Sequence, residues 1–345
     1  MKNQPLSWSY SRATLLYYCE KKYLFSYYTK HFAKFDWNFY QEILILKNLS
    51  SMSMWLWTKI HGLMSDYLHM LKDKLDTWVS QVEIDKLLAN FIEEMDEEYH
   101  KSQNKDYTQY DRDDHFGLTE HFYWEHIDTQ FEEWKQHIIS YFHAFLHSDL
   151  HKKIYKEFSH AEQIFVEPKD PDFEQMKMTI DRIPELKWIQ LRAQADMWIV
   201  LPPSKSNNKK IYIIYDWKSW KERDAPDDFI SDQLKVYAYK TLLNIWMDKI
   251  DEVEIYCYEV FLKTMKILWW KISRDDIYHI EQKITLDVSN QKKFLLQQNP
   301  FKNIPIDSVY FNKTSNTNKC KHCRFRQACD ALSQYESQSN EQFFT

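Results

Sequence analysis

Glycine is nearly absent. The chain of 345 residues carries two, Gly62 and Gly117, where an average usage of about 7% would give roughly 24. Glycine-rich phosphate loops and the G-x-G-x-x-G dinucleotide fingerprint are therefore excluded as written. Cysteine is scarce and odd in number, at five. Met1-Lys2-Asn3-Gln4-Pro5 offers no apolar signal core. Secretion and a disulfide framework are thus not expected, and a cytoplasmic location is. No apolar run approaches the roughly 20 residues of a membrane helix, so no membrane role is expected. An excess of positive charge is missing too. With 45 Lys and Arg against 51 Asp and Glu, the net charge is −6. Contact with nucleic acid would have to rest on local patches.

What is present is a globular composition, 44% hydrophobic and 28% charged, too apolar for a disordered chain. The length suits about two domains. Tryptophan is abundant at 14, and aromatics reach 17%. Three of the five cysteines, Cys320, Cys323 and Cys329, fall within ten residues, which points to metal ligation.

Helical spacing runs over residues 8–30, 52–76, 79–99 and 118–158, with a polar stretch at 100–117 that reads as an exposed loop. Glu83 to Glu133 is rich in acids, which reads as a solvated face. From about residue 161 the character changes. Residues 163–167, 187–200, 211–217, 252–262 and 265–272 are β-branched and aromatic and read as strands. A helix over 229–246, capped by Ser231, separates the third from the fourth, and 274–296 reads as helical. Pro202, Pro203, Ser204, Ser206, Asn207 and Asn208 mark a hairpin loop. The order implies an α/β fold, a mixed β-sheet flanked by helices and preceded by a large helical insertion.

Asp216 and Lys218 end the strand IYIIYDWKS. Side chains two apart on a strand share a face, so this carboxylate and ammonium point the same way. The pair suits phosphodiester hydrolysis: the carboxylate binds a divalent cation, and the lysine orients water or steadies phosphorane charge. Alone the triplet is weak, because a surface ion pair would look the same. Its surroundings strengthen it. Asp196 lies in the preceding strand, across the hairpin, where antiparallel pairing would bring the carboxylates together. Two hard oxygen donors match Mg²⁺ or Mn²⁺. Gln233 and Tyr237 stand at i, i+4 on one helical face, placed to hold a substrate backbone. His61, upstream on a helix, offers an imidazole ligand.

The set His61, Asp196, Asp216-x-Lys218, Gln233-x-x-x-Tyr237 resembles the RecB-like branch of the PD-(D/E)XK nucleases, in the same order along the chain. The resemblance implies a restriction-endonuclease-like core and a metal-dependent DNA exonuclease acting on single strands or ends in repair, recombination or end processing. It implies catalytic roles for Asp196, Asp216, Lys218, Gln233 and Tyr237, and metal ligation by His61, Asp196 and Asp216. Glu167 stands where this branch often carries a further acid. The chain holds no helicase motor, so a helicase partner is a candidate.

Cys320-x₂-Cys323-x₅-Cys329 forms a soft pocket suited to zinc or an iron–sulfur cluster. Cys19 is the candidate fourth ligand. Its segment, Ser9-Tyr10-Ser11-Arg12 to Cys19-Glu20-Lys21-Lys22-Tyr23, resembles the N-terminal helix of AddB-type and CRISPR-associated RecB-like exonucleases, with Glu20 where that family has Pro. There one N-terminal and three C-terminal cysteines hold a [4Fe–4S] cluster. The rivals are Zn²⁺ with His322 as a ligand, or simple buried thiols. Cys257, mid-strand, reads as a core thiol. The resulting layout is an N-terminal helix at 1–30, a helical region with an acidic insertion at 31–160 and a nuclease core at 161–297. A cysteine knuckle at 298–335 and a frayed tail at 336–345 complete it. Lys205, Lys209, Lys210, Lys221 and Arg223 near the hairpin, with Lys321, Arg324 and Arg326 at the knuckle, are the expected DNA contacts.

Trp57 and Trp220 occupy places where the resembled family favours Gly. With so little Gly and so much Trp, this suggests UGA codons for Gly read as Trp, a reassignment some bacteria use; the alternative is a genuinely glycine-poor protein. Two rivals to the nuclease remain: the same fold with impaired chemistry holding DNA for a helicase, and a zinc-stapled interaction protein built on the acidic helices.

Overall fold

β-Branched and aromatic residues fill Lys210–Lys218 so densely that six consecutive side chains are buried. A strand covered on both faces belongs in the middle of a sheet, and this one does. The computed structural model describes residues 5–34, 36–108, 116–167, 178–180, 182–203, 208–218, 230–245 and 250–342.

In chain order the elements begin with β1 (Ser7–Trp8), α1 (Tyr10–Tyr18), α2 (Glu20–Tyr27), α3 (Trp37–Asn48) and β2 (Leu49–Ser50). The helical region follows: α4 (Met52–Asp73), α5 (Gln81–Gln103), β3 (Gly117–Leu118), α6 (Thr119–Phe122), α7 (Asp128–Leu146) and α8 (Asp149–His160). Next come β4 (Gln163–Val166), β5 (Met178–Thr179), β6 (Gln190–Leu191), β7 (Met197–Leu201) and β8 (Lys210–Lys218). Then α9 (Asp232–Ile245), β9 (Val253–Phe261), β10 (Lys266–Lys271), α10 (Arg274–Lys292), α11 (Thr317–Lys321) and α12 (Arg326–Gln342).

The main sheet has the order β10-β9-β8-β7-β4, with β8 and β9 parallel and the other pairs antiparallel. The expected mixed α/β architecture is present. β8 alternates between two apolar clusters. Tyr212 and Ile214 face one that holds α1, α2, α9, α10 and the C-terminal helix. Ile213, Tyr215 and Trp217 face the other, built on α4, α5, α7 and α8. The helical region thus covers one whole face of the sheet. A parallel pair needs a crossover, and α9 supplies it.

Several elements depart from expectation. The single helix over 8–30 is two, because Cys19 is extended (φ −169°, ψ 116°) and both ends α1 and begins α2. The strand over 187–200 is interrupted: only β6 and β7 pair, and β6 leaves the main sheet to join β1 and β5. The frayed tail is helix as far as Gln342. Among the described residues, no helix is long and apolar enough to cross a membrane.

Eight described residues other than glycine have positive φ, and three of them are tryptophans: Trp78, Trp124 and Trp188. Neither glycine does. Gly117 is needed for another reason. A Cβ there would lie 2.4 Å from the Tyr107 ring and 2.8 Å from Leu49 Cδ2, inside the β2–β3 pairing.

Candidate active site and cysteine pocket

The antiparallel register of β7 and β8 sets Met197 against Tyr215, which brings Asp196 beside Asp216 at the carboxyl end of β8. Asp196 is held from two sides. Its Oδ2 accepts the Trp217 backbone N–H at 2.6 Å, and its Oδ1 lies 2.9 Å from His61 Nδ1. His61 arrives from α4, whose apolar stripe packs against the helical-region face of the sheet. α9 arrives from the opposite face. The site therefore sits at a strand end where the two helical layers meet.

Alternation aims Asp216 and Lys218 the same way, and they form an ion pair. Lys218 Nζ also donates to Gln233 Oε1 at 3.0 Å, and Gln233 Nε2 donates to the Tyr237 hydroxyl at 2.6 Å. One turn of α9 thus continues the chain of contacts from the carboxylate. All six expected residues come together.

Asp216 is 3% exposed. Burial, with the Asp196 charge adding to it, pushes its carboxyl up to about 6 against the pull of Lys218 and His61. Burial works against the Lys218 charge as well, but Asp216, Glu259 and Asp196 outweigh it and hold the ammonium above its usual range. Burial and the two aspartates keep the Tyr237 phenol protonated.

Sequence reasoning missed Glu259. It lies opposite Asp216 in the parallel β8–β9 register and is 2% exposed. Nothing in EIYCYEV marks it; only the register does. Glu167 sits just past β4, donating its backbone N–H to the Asp196 carbonyl at 3.0 Å. Trp57 packs on His61, ring centroids 4.0 Å apart. Trp220 lies outside the described residues.

A buried carboxylate, a half-buried one and an imidazole suit a hard divalent cation in kind. The site resists the charge on Asp216 as it stands, and a cation between the carboxylates would remove that penalty. Among the described residues, no group of three or more His, Cys, Asp or Glu is arranged to hold a metal ion as the chain stands. At the carboxylates, His61 and Asp196 engage each other and Asp216 engages Lys218.

Beside Gln233 and Tyr237 opens a cleft of about 960 Å³ between α1 and α9. Lys22, Arg192 and Lys240 line it, with Tyr10 and Tyr18, and none of its described lining residues is acidic. The described residues among the expected DNA contacts lie elsewhere. Lys205, Lys221 and Arg223 are outside the described residues. Lys209 precedes β8 and Lys210 begins it, about 26 Å of strand from Lys218, and Lys210 pairs with Glu162 at 2.6 Å. Arg324 donates to the Leu49 carbonyl at 2.6 Å, and Arg326 pairs with Glu125 at 3.0 Å over the Tyr123 ring. Both arginines tie the knuckle to the helical region. Lys321 borders the cysteine pocket.

That pocket, about 290 Å³, is lined by Cys19, Cys320, Cys323 and Cys329 together. His322 is not among its lining residues. Burial, then neighbouring thiols, pushes up Cys323, and burial with Cys19 and Cys323 pushes Cys329 up to about 11. Thiols that raise one another this way suit a positively charged centre between them. Cys257 is apart, buried in β9 with Sγ 3.8 Å from the Leu234 carbonyl, as a core thiol.

Compared with known proteins, the chain matches no protein-family model and no curated protein.

Proposed function

We propose that the chain is a metal-dependent DNA nuclease of the RecB-like PD-(D/E)XK type, acting as an exonuclease on single strands or ends. In this reading β4 and β7–β10 with α9 form a restriction-endonuclease-like core. One observation carries it: His61, Asp196, Asp216, Lys218, Gln233 and Tyr237, dispersed over 177 positions (237 − 61 + 1) of the sequence, converge on one strand end in contact with one another. A surface Asp-x-Lys pair would explain neither the burial of Asp216 nor the continuation through Gln233 and Tyr237 in α9.

Asp196, Asp216 and His61 would hold Mg²⁺ or Mn²⁺, which when bound supplies a low-pKa water and Lewis acidity at the phosphate. The chain's own residues do the rest. Lys218, held charged, steadies the negative charge gathering on the phosphate oxygens. Gln233 fixes the Lys218 ammonium through its carbonyl and the Tyr237 phenol through its amide. The protonated phenol is suited to donate to a phosphate oxygen. Cys19, Cys320, Cys323 and Cys329 would hold a [4Fe–4S] cluster joining the two chain ends. The position of His322 outside the pocket favours this over a zinc site that uses it.

The test is cleavage of labelled single-stranded and duplex oligonucleotides with Mg²⁺, Mn²⁺ or EDTA. Metal-dependent degradation lost in Asp216→Asn supports the reading. Full cleavage by Asp216→Asn, or none by the wild type with either metal, overturns it.

A further inference from the structure

We propose that positions 78, 124 and 188 are glycine in this protein as its own cell makes it, each encoded by UGA. The inference rests on backbone conformation and is independent of the nuclease reading. All three tryptophans lie in the left-handed region, at φ 60°, 62° and 72°. A bulky side chain there crowds its own carbonyl, and positive φ is a few-per-cent event for ordinary residues. Chance would place fewer than about one of 14 tryptophans in it.

The hydrogen bonds show that each residue stands at a position defined by glycine. Glu125 N–H reaches the Glu120 carbonyl at 2.8 Å, and Trp124 N–H reaches His121 at 3.2 Å. Those are the paired six-to-one and five-to-two bonds of a Schellman cap, with Trp124 at its left-handed residue. Trp78 N–H donates to the Lys74 carbonyl at 2.9 Å, which also accepts the Thr77 N–H at 3.1 Å; α4 itself is capped at Lys74, and Trp78 closes the separate turn that follows with the five-to-one bond of a left-handed cap. The third is a turn. Ile189 N–H donates to Leu186 at 2.9 Å, and Lys187 has φ −50° and ψ 127°. That is a type II β-turn, with Trp188 at its third residue, where glycine is the usual occupant.

The side chains themselves argue the same way. Trp78, Trp124 and Trp188 are 58%, 79% and 53% exposed and belong to neither apolar cluster; Trp78 stacks on Tyr155 at 4.1 Å and Lys105 lies over the Trp124 ring at 3.1 Å, contacts at the surface that glycine would give up. Three different motifs that ask for glycine all carry tryptophan, in a chain with two glycines. A decoding difference at a single codon accounts for the three tryptophans among the eight positive-φ residues and for the composition together, whereas a glycine-poor protein does not account for tryptophan at these three places.

The gene and the melting temperature test this position by position. UGA at codons 78, 124 and 188 is expected; UGG at all three overturns the proposal, and UGG at one removes that position. Trp78→Gly, Trp124→Gly and Trp188→Gly should each raise Tm by roughly 1–3 °C. Trp269→Gly, equally exposed at 58% but in regular β10, should lower it. If the three variants fall in Tm as far as Trp269→Gly does, the left-handed positions do not prefer glycine and the proposal fails.

Discussion

At the residue scale the site is a set of mutually dependent charges, and this makes the order of mutational effects diagnostic. Asp216→Asn removes a ligand and the counter-ion of Lys218 together, so metal affinity and cleavage should both be lost, the latter by about 10³-fold or more. Lys218→Ala should abolish cleavage to a similar degree while leaving Mn²⁺ affinity within a few-fold, because a protonated amine carries no ligand lone pair. Gln233→Ala and Tyr237→Phe should cost only about tenfold, since they position other groups. Calorimetric Mn²⁺ titration beside cleavage rates separates these cases, and equal mild losses at all positions would mean an ordinary ion pair. A second expectation follows from the Asp216 carboxyl, raised from 3.8 to about 6 by burial. The folded state then holds a proton the unfolded chain has released, so this group's stabilisation is complete below about pH 4 and is lost as pH rises through about 6. In EDTA, Asp216→Asn should be more stable than wild type at pH 7–8, with the difference vanishing below about pH 4. Urea unfolding across that range checks it, and a difference that grows toward low pH would contradict it.

At the scale of elements, the break at Cys19 is the most consequential feature. Cys19 keeps both ladder bonds, its N–H on the Leu15 carbonyl at 3.0 Å and its carbonyl accepting the Tyr23 N–H at 3.0 Å, so the break lies in its backbone angles alone. As an extended link it ends one helix, starts the next and faces the pocket of Cys320, Cys323 and Cys329. Replacing any one of the four by Ser should remove iron and visible absorbance from anaerobically purified protein and lower Tm by several degrees. Cys257→Ser should leave the absorbance intact. Bound zinc with no iron in the wild type would overturn the cluster assignment. The same segment shows what the sequence could and could not reveal. Apolar periodicity continues through residue 19, so it reads as a single helix; the break is set by tertiary contacts, such as Asn312 N–H on the Glu20 carboxylate at 2.6 Å. β8 was legible because its apolar run is long and its Asp-x-Lys fixes the parity. The two-residue strands β1 and β5 carry no periodic signal at that length. Glu259 was invisible because its place depends on the pairing of β9 with β8, a parallel register that neither strand encodes alone.

At the scale of the whole molecule the question is how an acidic protein would hold a polyanion. The net charge is −6, and of the described hairpin and knuckle cations expected to do so, Lys210 and Arg326 are paired, Arg324 is bonded to the Leu49 carbonyl, and Lys209 and Lys210 lie at the far end of β8. The α1–α9 cleft answers differently. It concentrates Lys22, Arg192 and Lys240 without a described acid, and it opens on Gln233 and Tyr237. Tyr18, between the ammonium groups of Lys22 at 5.3 Å and Lys319 at 4.1 Å, also borders the cysteine pocket. A strand lying there would meet cations along its backbone and tyrosine rings for its bases, the combination single-stranded nucleic acid needs. Lys240 is 7% exposed and donates to the Ala193 carbonyl, so the accessible charges are Lys22 and Arg192. Lys22→Glu and Arg192→Glu should each weaken binding of a fluorescent single-stranded oligonucleotide about tenfold or more, measured by anisotropy with Ca²⁺ in place of Mg²⁺. Each should also reduce the slope of log Kd against log salt by roughly one, the mark of a lost phosphate contact. Lys209→Glu, at the far end of β8, should change neither. If Lys209→Glu is the damaging variant and Arg192→Glu is silent, the strand lies along the hairpin and the cleft is not its path. That outcome would leave the catalytic assignment standing, because it concerns only where the substrate approaches Asp216 from.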